Sequence, residues 1–247
     1  MKSFGLTDKG KVRKDNQDCF IIEKCQSKAC MIVALCDGMG GAKAGGIASQ
    51  LSNKAFVSYI YAKLTSRVSR TVDYKRMLSD ACAEANGVSY EYSHFDEAFS
   101  GMGTTMTVIW EDDERVLLGH VGDSRAYRVR EKSIRQISQD HSMVAEMVRR
   151  GVLTEEEARV HPYRNIITRA LGTDETVEVD AEELDKRPGD LYLLCSDGLS
   201  EYVQNESLLY ILRKHPSLEE AADVLLNMAL EGGGRDNISV VLAEVTA

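Results

Sequence analysis

The chain has 247 residues, 43% of them hydrophobic, and a formal net charge of −9. A core of that size buries roughly 70–75% of the unfolded surface, so no covalent staple is needed. The acidic balance excludes a general nucleic-acid or anionic-membrane surface, and no apolar run approaches the ~20 residues of a membrane helix.

Six cysteines occur, Cys19, Cys25, Cys30, Cys36, Cys82 and Cys195, with no Cys-x-x-Cys pair and no accompanying His-x₃₋₅-His. A zinc site is therefore not indicated. Cys30 and Cys36 share strand parity with Ile32 and Ala34 and read as small buried hydrophobes. The start, Met1-Lys2-Ser3-Phe4-Gly5, lacks the apolar stretch of a signal peptide, and a reducing, cytoplasmic setting is expected.

In chain order, short β runs come first, at 3–7, 19–25 and 29–36. Gly38-Met39-Gly40-Gly41 breaks the third run. Ala44, Ala48, Leu51, Ala55, Tyr59 and Ala62 then recur at spacings of three and four, a helical stripe, and a second helix is predicted over 74–92. A meander follows at 104–110, 115–121, 125–130 and 133–138, with turns at Glu111-Asp112-Asp113-Glu114 and Asp123-Ser124. The stretch 140–172 is different. Met143, Val144, Met147 and Val148 mark a short helix stopped by Gly151, and Thr154 with Glu157 forms a capping box for another. Strands return at 176–182 and 190–196. Ser217 and Glu220 open a helix with Leu218, Ala221, Ala222, Leu225, Leu226 and Ala229 on its stripe, ended by Gly232-Gly233-Gly234. A last strand covers 237–245. Strands in blocks, interrupted by two long helical blocks, read as one α+β domain over 1–247, with two antiparallel sheets and helices packed outside.

The chemistry sits where loops meet apolar strands. Asp18, Asp37, Asp123, Asp197 and Asp236 all occupy such junctions. Taken singly, Asp-Gly is a common turn dipeptide, and spacing alone leaves open five unrelated turn aspartates. Taken together, they suit a shared hard cation, since converging carboxylates repel unless an ion lies between them. Oxygen donors without Cys or a His cluster favour Mg²⁺ or Mn²⁺ over zinc. Gly38 after Asp37 lets a backbone carbonyl approach such an ion. Arg13 can grip a phosphoryl group in bidentate fashion, while Lys9, Lys11 and Lys14 beside it read as a solvated loop.

Six ordered motifs then carry a resemblance: Arg13-x-x-Asn16-Gln17-Asp18, Asp37-Gly38-Met39-Gly40-Gly41, Gly101-Met102-Gly103-Thr104-Thr105, Val121-Gly122-Asp123-Ser124-Arg125, Ser196-Asp197-Gly198-Leu199 and Gly234-Arg235-Asp236-Asn237-Ile238. From about residue 3 to 245 the chain resembles the metal-dependent PPM (2C-type) serine/threonine protein phosphatases, in the compact form of bacterial members. The resemblance implies an α-β-β-α sandwich, two central antiparallel sheets flanked by helix pairs. It implies that Asp37, Asp197, Asp236 and the Gly38 carbonyl bind two Mn²⁺ or Mg²⁺ ions. Asp18 then sits in the near shell, Asp123 shares a third, weaker site with Asp197, and Arg13 binds the substrate phosphate. Residues 140–172 correspond to the family's flap. The implied reaction is hydrolysis of phosphoserine or phosphothreonine by a metal-activated water, without a covalent intermediate. The implied setting is a cytoplasmic monomer opposing a bacterial serine/threonine kinase, its partners phosphoproteins rather than nucleic acid or membrane.

Three departures stand out. Met39 replaces a His that many relatives offer as the acid for the leaving oxygen, and Gln17 replaces an outer carboxylate. Glu201 stands where several relatives place an Asp at the third site. His141 and His161 are alternative acids. Arg164 and Arg169 either steer acidic phosphopeptides or bridge within the flap. Two other readings stay open: a two-metal phosphatase of a small phosphoester, and a catalytically silent phosphoprotein-binding module.

Overall fold

Apolar runs that alternate little, such as 31–36, need partners on both faces, and the architecture supplies them. The computed structural model describes residues 1–24, 30–41, 44–65, 73–215 and 217–246. Strands β1 (Lys2–Asp8), β2 (Asp18–Lys24) and β3 (Met31–Met39) come first, followed by helices α1 (Ala44–Thr65) and α2 (Tyr74–Ser93). Then come β4 (Gly103–Thr104), β5 (Met106–Glu111), β6 (Val116–Val121), β7 (Arg125–Arg130) and β8 (Ser133–Gln136). Helices α3 (Met143–Arg149) and α4 (Glu155–Val160) precede β9 (Asp180–Leu184) and β10 (Leu191–Cys195). The chain finishes with α5 (Asp197–Ser200), α6 (Asn205–Lys214), α7 (Leu218–Gly232) and β11 (Ile238–Glu244).

One sheet runs β1-β11-β10-β7-β8 and the other β2-β3-β5-β6-β9, with β4 beside β3; neighbouring strands are antiparallel. Three apolar seams hold four layers together. Ile32, Ala34, Cys36 and Trp110 meet Phe56, Ile60 and Leu78 of α1 and α2. Val33, Leu35 and Ile109 meet Tyr192, Leu194 and Val241 between the sheets. Leu193, Val240 and Leu242 meet Leu208, Leu225 and Ala229 of α6 and α7. Alternate residues of β3 thus enter different seams, which is why its sequence is apolar throughout. Each of the larger side chains, Ile32, Val33 and Leu35, fully buried, contributes roughly 1.5–3 kcal/mol. This is the α-β-β-α sandwich, and the α+β expectation holds.

Local signals behave as their chemistry dictates. Thr154 and Glu157 form the full capping box of α4, and Gly151 (φ 71°) follows α3. At α7 only half the expected box exists: Ser217 accepts from the Glu220 N–H, while the Glu220 carboxylate faces His215 at 3.8 Å. The strand predicted at 176–182 begins instead at Asp180. Its partner β6 ends its pairing at His120↔Asp180 and turns away at Gly122 (φ 111°), so Val177 and Val179 pack on the α1/α2 seam without a ladder. Strand β3 runs through Gly38 and Met39 and breaks only at Gly40 (φ 127°). Helices α5 and α6 escaped sequence reading, although Leu208, Ile211 and Leu212 carry the i, i+3, i+4 pattern and are buried.

Cys36, Cys82 and Cys195 are buried thiols and Cys19 is a half-buried one. Cys30 is buried in the α1/α2 seam as expected, but it is disulfide-bonded, which the reading as a small hydrophobe did not include. Cys25 and Ala29, at the ends of two predicted strands, lie outside the described residues. Among the described residues no helix is long and apolar enough to cross a membrane.

Candidate active site

Strand order explains why distant aspartates meet. In the second sheet β2 starts and β3 ends at the same edge, so Asp18 and Asp37 are register partners. In the first sheet β10 ends beside the start of β11, which brings Asp197 and Asp236 to the corresponding edge. The turn from β6 to β7 crosses between the sheets and carries Asp123.

Asp18 is held from the opposite sheet. Its Oδ2 accepts from Ser196 Oγ at 2.8 Å and from Ser239 Oγ at 2.6 Å. Asn16 Nδ2 donates to Thr7 Oγ1 at 2.8 Å, which leaves the Thr7 hydroxyl to donate to Ser239 Oγ at 2.7 Å. Asp18 Oδ1, by contrast, is buried without a partner. Asp37 is fixed through its backbone: its N–H donates to Thr105 Oγ1 at 2.9 Å and its carbonyl accepts from Thr104 Oγ1 at 2.9 Å and from the Thr105 N–H at 2.9 Å.

Gly38 lies where α1 begins. A Cβ there would stand 2.1 Å from the Gly45 carbonyl oxygen and 2.6 Å from that of Gln17, both backbone atoms. Gly38→Ala must therefore push α1 off β3. The expected loss is about 3 kcal/mol, or roughly 6–12 °C in Tm for a chain of this size. A thermal scan showing the parent Tm would contradict the packing.

Asp123 sits in a turn that admits only glycine before it: Gly122 has φ 111°, and a Cβ there would meet the Thr105 methyl at 2.5 Å. Ser124 Oγ bonds Thr105 Oγ1 at 2.8 Å, and Asp123 Oδ1 is buried without a partner. Asp197 opens α5, where Gly198 allows the Asn237 carbonyl to approach to 2.0 Å of where a Cβ would be. Asp236 Oδ1 accepts from the Asn237 N–H at 2.8 Å, and its Oδ2 accepts from Arg13 Nη2 at 2.5 Å. Asn237 then secures the Arg13 loop, donating to the carbonyls of Lys9 (2.9 Å) and Asp15 (3.0 Å) and accepting from the Gln17 N–H at 2.8 Å.

Burial and mutual repulsion dominate the electrostatics. Burial first, then the carboxylates of Asp18, Asp197, Asp123 and Asp236, push Asp37 well above the usual range. Asp197 is raised likewise by burial, Asp123, Asp236 and Glu201. Burial lifts Asp18 to about 6 against its serine hydrogen bonds, and burial with Asp140 lifts Asp123 to about 7. The aspartates thus share one field. They do not form a closed shell: among the described residues no three His, Cys, Asp or Glu side chains are already gathered tightly enough to hold an ion. The donor set still fits hard divalent cations, being all oxygen, largely withdrawn from solvent, in excess over the cations Arg13 and Arg125 beside it, and supplied with two unpartnered carboxylate oxygens. A cleft of about 550 Å³ opens beside it, lined by Asp123, Asp197, Glu201, Tyr202, Arg149 and Arg164 among others.

The remaining candidates separate clearly. His141 is 3% exposed, its Nδ1 accepts from the Gly122 N–H at 3.0 Å, and its Nε2 faces Asp180 at 3.1 Å, so neither nitrogen is turned to a substrate. Burial holds it below the usual imidazole range. The His161 ring sits edge-on to Tyr163, and its Nδ1 accepts from the Tyr163 N–H at 3.2 Å. Arg169 pairs with Glu178 and Asp180, and Arg164 faces Glu201 at 3.7 Å, so both bridge, but to carboxylates outside 140–172 instead of within that segment. Sequence reading missed Ser196 and Ser239 as the clamps on Asp18. Ser239, a polar residue inside an apolar strand, was the available signal.

This arrangement is that of a known class. The family model "Protein phosphatase 2C" matches residues 9–239. The serine/threonine phosphatase stp of Listeria monocytogenes serotype 4b is 36% identical over 239 residues, covering 96% of this chain and 93% of the relative. The solved S. agalactiae serine/threonine phosphatase superposes with a TM-score of 0.89 at 33% identity, covering 99% of each chain. The catalytic domain of the phosphatase PstP, solved in complex with two manganese ions, gives 0.83 at 35% identity, covering 100% of this chain and 98% of that one. The chain belongs to the protein phosphatase 2C (PPM) family of serine/threonine phosphatases, in its bacterial form.

Proposed function

We propose that this chain hydrolyses phosphoserine and phosphothreonine monoesters in proteins with the help of two divalent cations, Mn²⁺ or Mg²⁺. Asp37, Asp197, Asp236 and the Gly38 carbonyl would hold them, with Asp18 in the near shell and Asp123 with Asp197 at a third, weaker position. The observation that carries this reading is the single field of carboxylates from both ends of the chain, opposed only in part by Arg13 at Asp236 and Arg125 near Asp123. The two manganese ions of the PstP relative support the choice of metal.

Bound cations supply charge neutralisation at phosphoryl oxygens and activation of water. The rest falls to this chain. Arg13, half exposed, carries a guanidinium fork that suits two phosphate oxygens, for which it would exchange its bond to Asp236. Asp18, its Oδ2 saturated by two serines, presents Oδ1 as an acceptor that can orient an attacking water. No thiol is needed as a nucleophile, and the buried Cys36, Cys82 and Cys195 are pushed up by burial, away from thiolate chemistry. Residues 1–247 would act as one catalytic domain, with 140–172 as a flap beside the cleft. The substrates would be phosphoproteins, including a cognate kinase, and the enzyme a cytoplasmic monomer. Three buried thiols favour that compartment, and the Cys30 disulfide does not.

The test is Mn²⁺-stimulated hydrolysis of a phosphothreonine peptide beside nucleotides and p-nitrophenyl phosphate, with EDTA as control. The peptide should be turned over best and only with metal. A preference for nucleotides would replace the protein substrate with a small phosphoester, and silence on all three would leave a binding module. Arg13→Ala should raise KM for phosphopeptide by about 10- to 100-fold, the worth of a bidentate charged contact, with a smaller change in kcat. An unchanged KM removes Arg13 from the substrate.

A further inference from the structure

We propose that His141 is a positioning residue for Asp123, tying the base of the 143–166 segment to that carboxylate. The inference rests on the reading of Asp123 as a cation-site group, and begins from how completely the Asp123 turn is bracketed. The adjacent residues Asp140 and His141 hold the two flanks of Asp123. Asp140 grips Arg125 in bidentate fashion, at 2.7 and 2.9 Å to one oxygen and 3.1 Å to the other. His141 grips Gly122 twice: its backbone N–H donates to the Gly122 carbonyl at 2.7 Å, and its ring Nδ1 accepts from the Gly122 N–H at 3.0 Å.

The second bond fixes the ring. With Nδ1 accepting, the proton resides on Nε2, which faces Asp180 Oδ2 at 3.1 Å. Arg169 Nη1 donates to the other Asp180 oxygen at 3.1 Å and lies 3.2 Å from Nε2, so the imidazole is steered from β9. The His141 carbonyl accepts from the Thr168 N–H at 2.8 Å, and next to it Ser142 bridges Ile167 and Met143 donates to the Ile166 carbonyl at 2.9 Å. Those contacts form a neck from which 143–166 emerges. One residue therefore joins the neck, the start of β9 and the turn that aims Asp123 into the cleft. Thr105 and Thr107 hold the far side of the turn through Ser124, and both hydrogen bonds on the Gly122 side come from His141, so the direction of Asp123 depends on His141 keeping its acceptor in place. Outer partners that orient ligand side chains typically account for 10- to 100-fold in metal affinity or activity.

The experiment compares His141→Ala, His141→Asn and His141→Gln, measuring Mn²⁺ binding by electron paramagnetic resonance and calorimetry together with kcat and KM. Asn places an oxygen where Nδ1 stands and can still accept from Gly122, whereas the longer Gln carries its amide toward Asp180. Mn²⁺ affinity at the weakest site and kcat should fall about tenfold in the Ala and Gln variants, with KM for phosphopeptide little changed, and the Asn variant should stay within about threefold of the parent. If His141→Ala does not fold, the Asn–Gln pair still decides. Equal loss in Asn and Gln, or parent-like Mn²⁺ binding in folded Gln, overturns the proposal. Asp123→Ala separates the premises. If Asp123→Ala binds Mn²⁺ and turns over like the parent, the cation reading of Asp123 fails and takes the proposal with it. If it is impaired and His141→Ala adds a further full tenfold, Asp123 stays in the site and His141 acts elsewhere. A double variant no worse than Asp123→Ala supports the coupling.

Discussion

Replacing Asp37 by Asn is expected to lower Mn²⁺-dependent phosphopeptide hydrolysis by at least ~10³-fold, about 4 kcal/mol of barrier, and to leave the fold intact. Asp37 stands within the shared field: four other carboxylates raise it, and its backbone is bolted to Thr104 and Thr105. The amide keeps the shape and those backbone bonds but removes the charge that would attract a cation. The same change has an opposite consequence for stability. In EDTA at neutral pH the parent must either keep an anion among anions or take up a proton to neutralise it, both of which cost stability, so Asp37→Asn should melt at the same temperature or higher. Activity lost together with a higher metal-free Tm is the signature of a group that serves ligand binding at the fold's expense. Activity near the parent level would dismantle the two-cation scheme. Asp197→Asn should behave in the same way, since its carboxylate is raised by the same neighbours.

The second large effect is a pH-dependent stability that appears only without metal. Asp123 is held at about 7 and Asp18 at about 6, against an ordinary 3.8. Both are raised in the folded state, so the folded protein binds these protons more tightly than the unfolded chain. Their contribution is fully present below pH 3.8 and is lost as pH rises through about 6 and about 7. For Asp123 alone the loss is roughly 4 kcal/mol above pH 7, or about 8–16 °C in Tm. Two buried imidazoles act in the opposite sense. Burial lowers His120 from 6.5 to about 4 and lowers His141 as well, so stability linked to them grows as pH rises toward 6.5. The informative quantity is therefore the difference between parent and Asp123→Asn in EDTA, in which those imidazoles cancel. That difference should widen in favour of the variant from pH 5.5 to 7.5 and vanish under saturating Mn²⁺, which offsets the repulsion by mass action. A parent and variant that melt in parallel across that range would show that Asp123 carries no such strain.

How much of this was legible beforehand depends on the range of the interaction. The capping box at Thr154 and Glu157, the stop at Gly151, the presence of α1 and α2 and the stripe of α7 are written within a few residues, and the chain reads out as they dictate. The face of α1 is not: beyond Ala44 and Ala48 it buries Ser49, Ser52, Asn53, Phe56 and Ile60, while Leu51, Ala55 and Tyr59 are half-buried and Ala62 is exposed, because polar residues of α1 bond to β2, β3 and α2. The strand at 176–182 was misplaced because its start depends on where β6 turns away, a fact about another segment. Helix α6 carried a readable pattern in Leu208, Ile211 and Leu212, within a span of only ten residues.

The candidate site divides along the same line. Ordered motifs named Asp18, Asp37, Asp123, Asp197, Asp236 and Arg13, because cation and phosphate chemistry restricts residue type, but not Asp140, which raises Asp123 and lines the cleft. They could not say that Asp236 would be turned to Arg13, that Ser196 and Ser239 would clamp Asp18 from the facing sheet, or that His141 would be locked onto Gly122 instead of facing a substrate. Composition, motif order and short-range pattern were determined by the chain alone, since they rest on side-chain chemistry and neighbours within a turn. Which oxygens are left unpartnered, and which backbone carbonyls lie too close for a Cβ, was decided only when two sheets closed on each other, because hydrogen bonds and burial are satisfied between segments up to some two hundred residues apart.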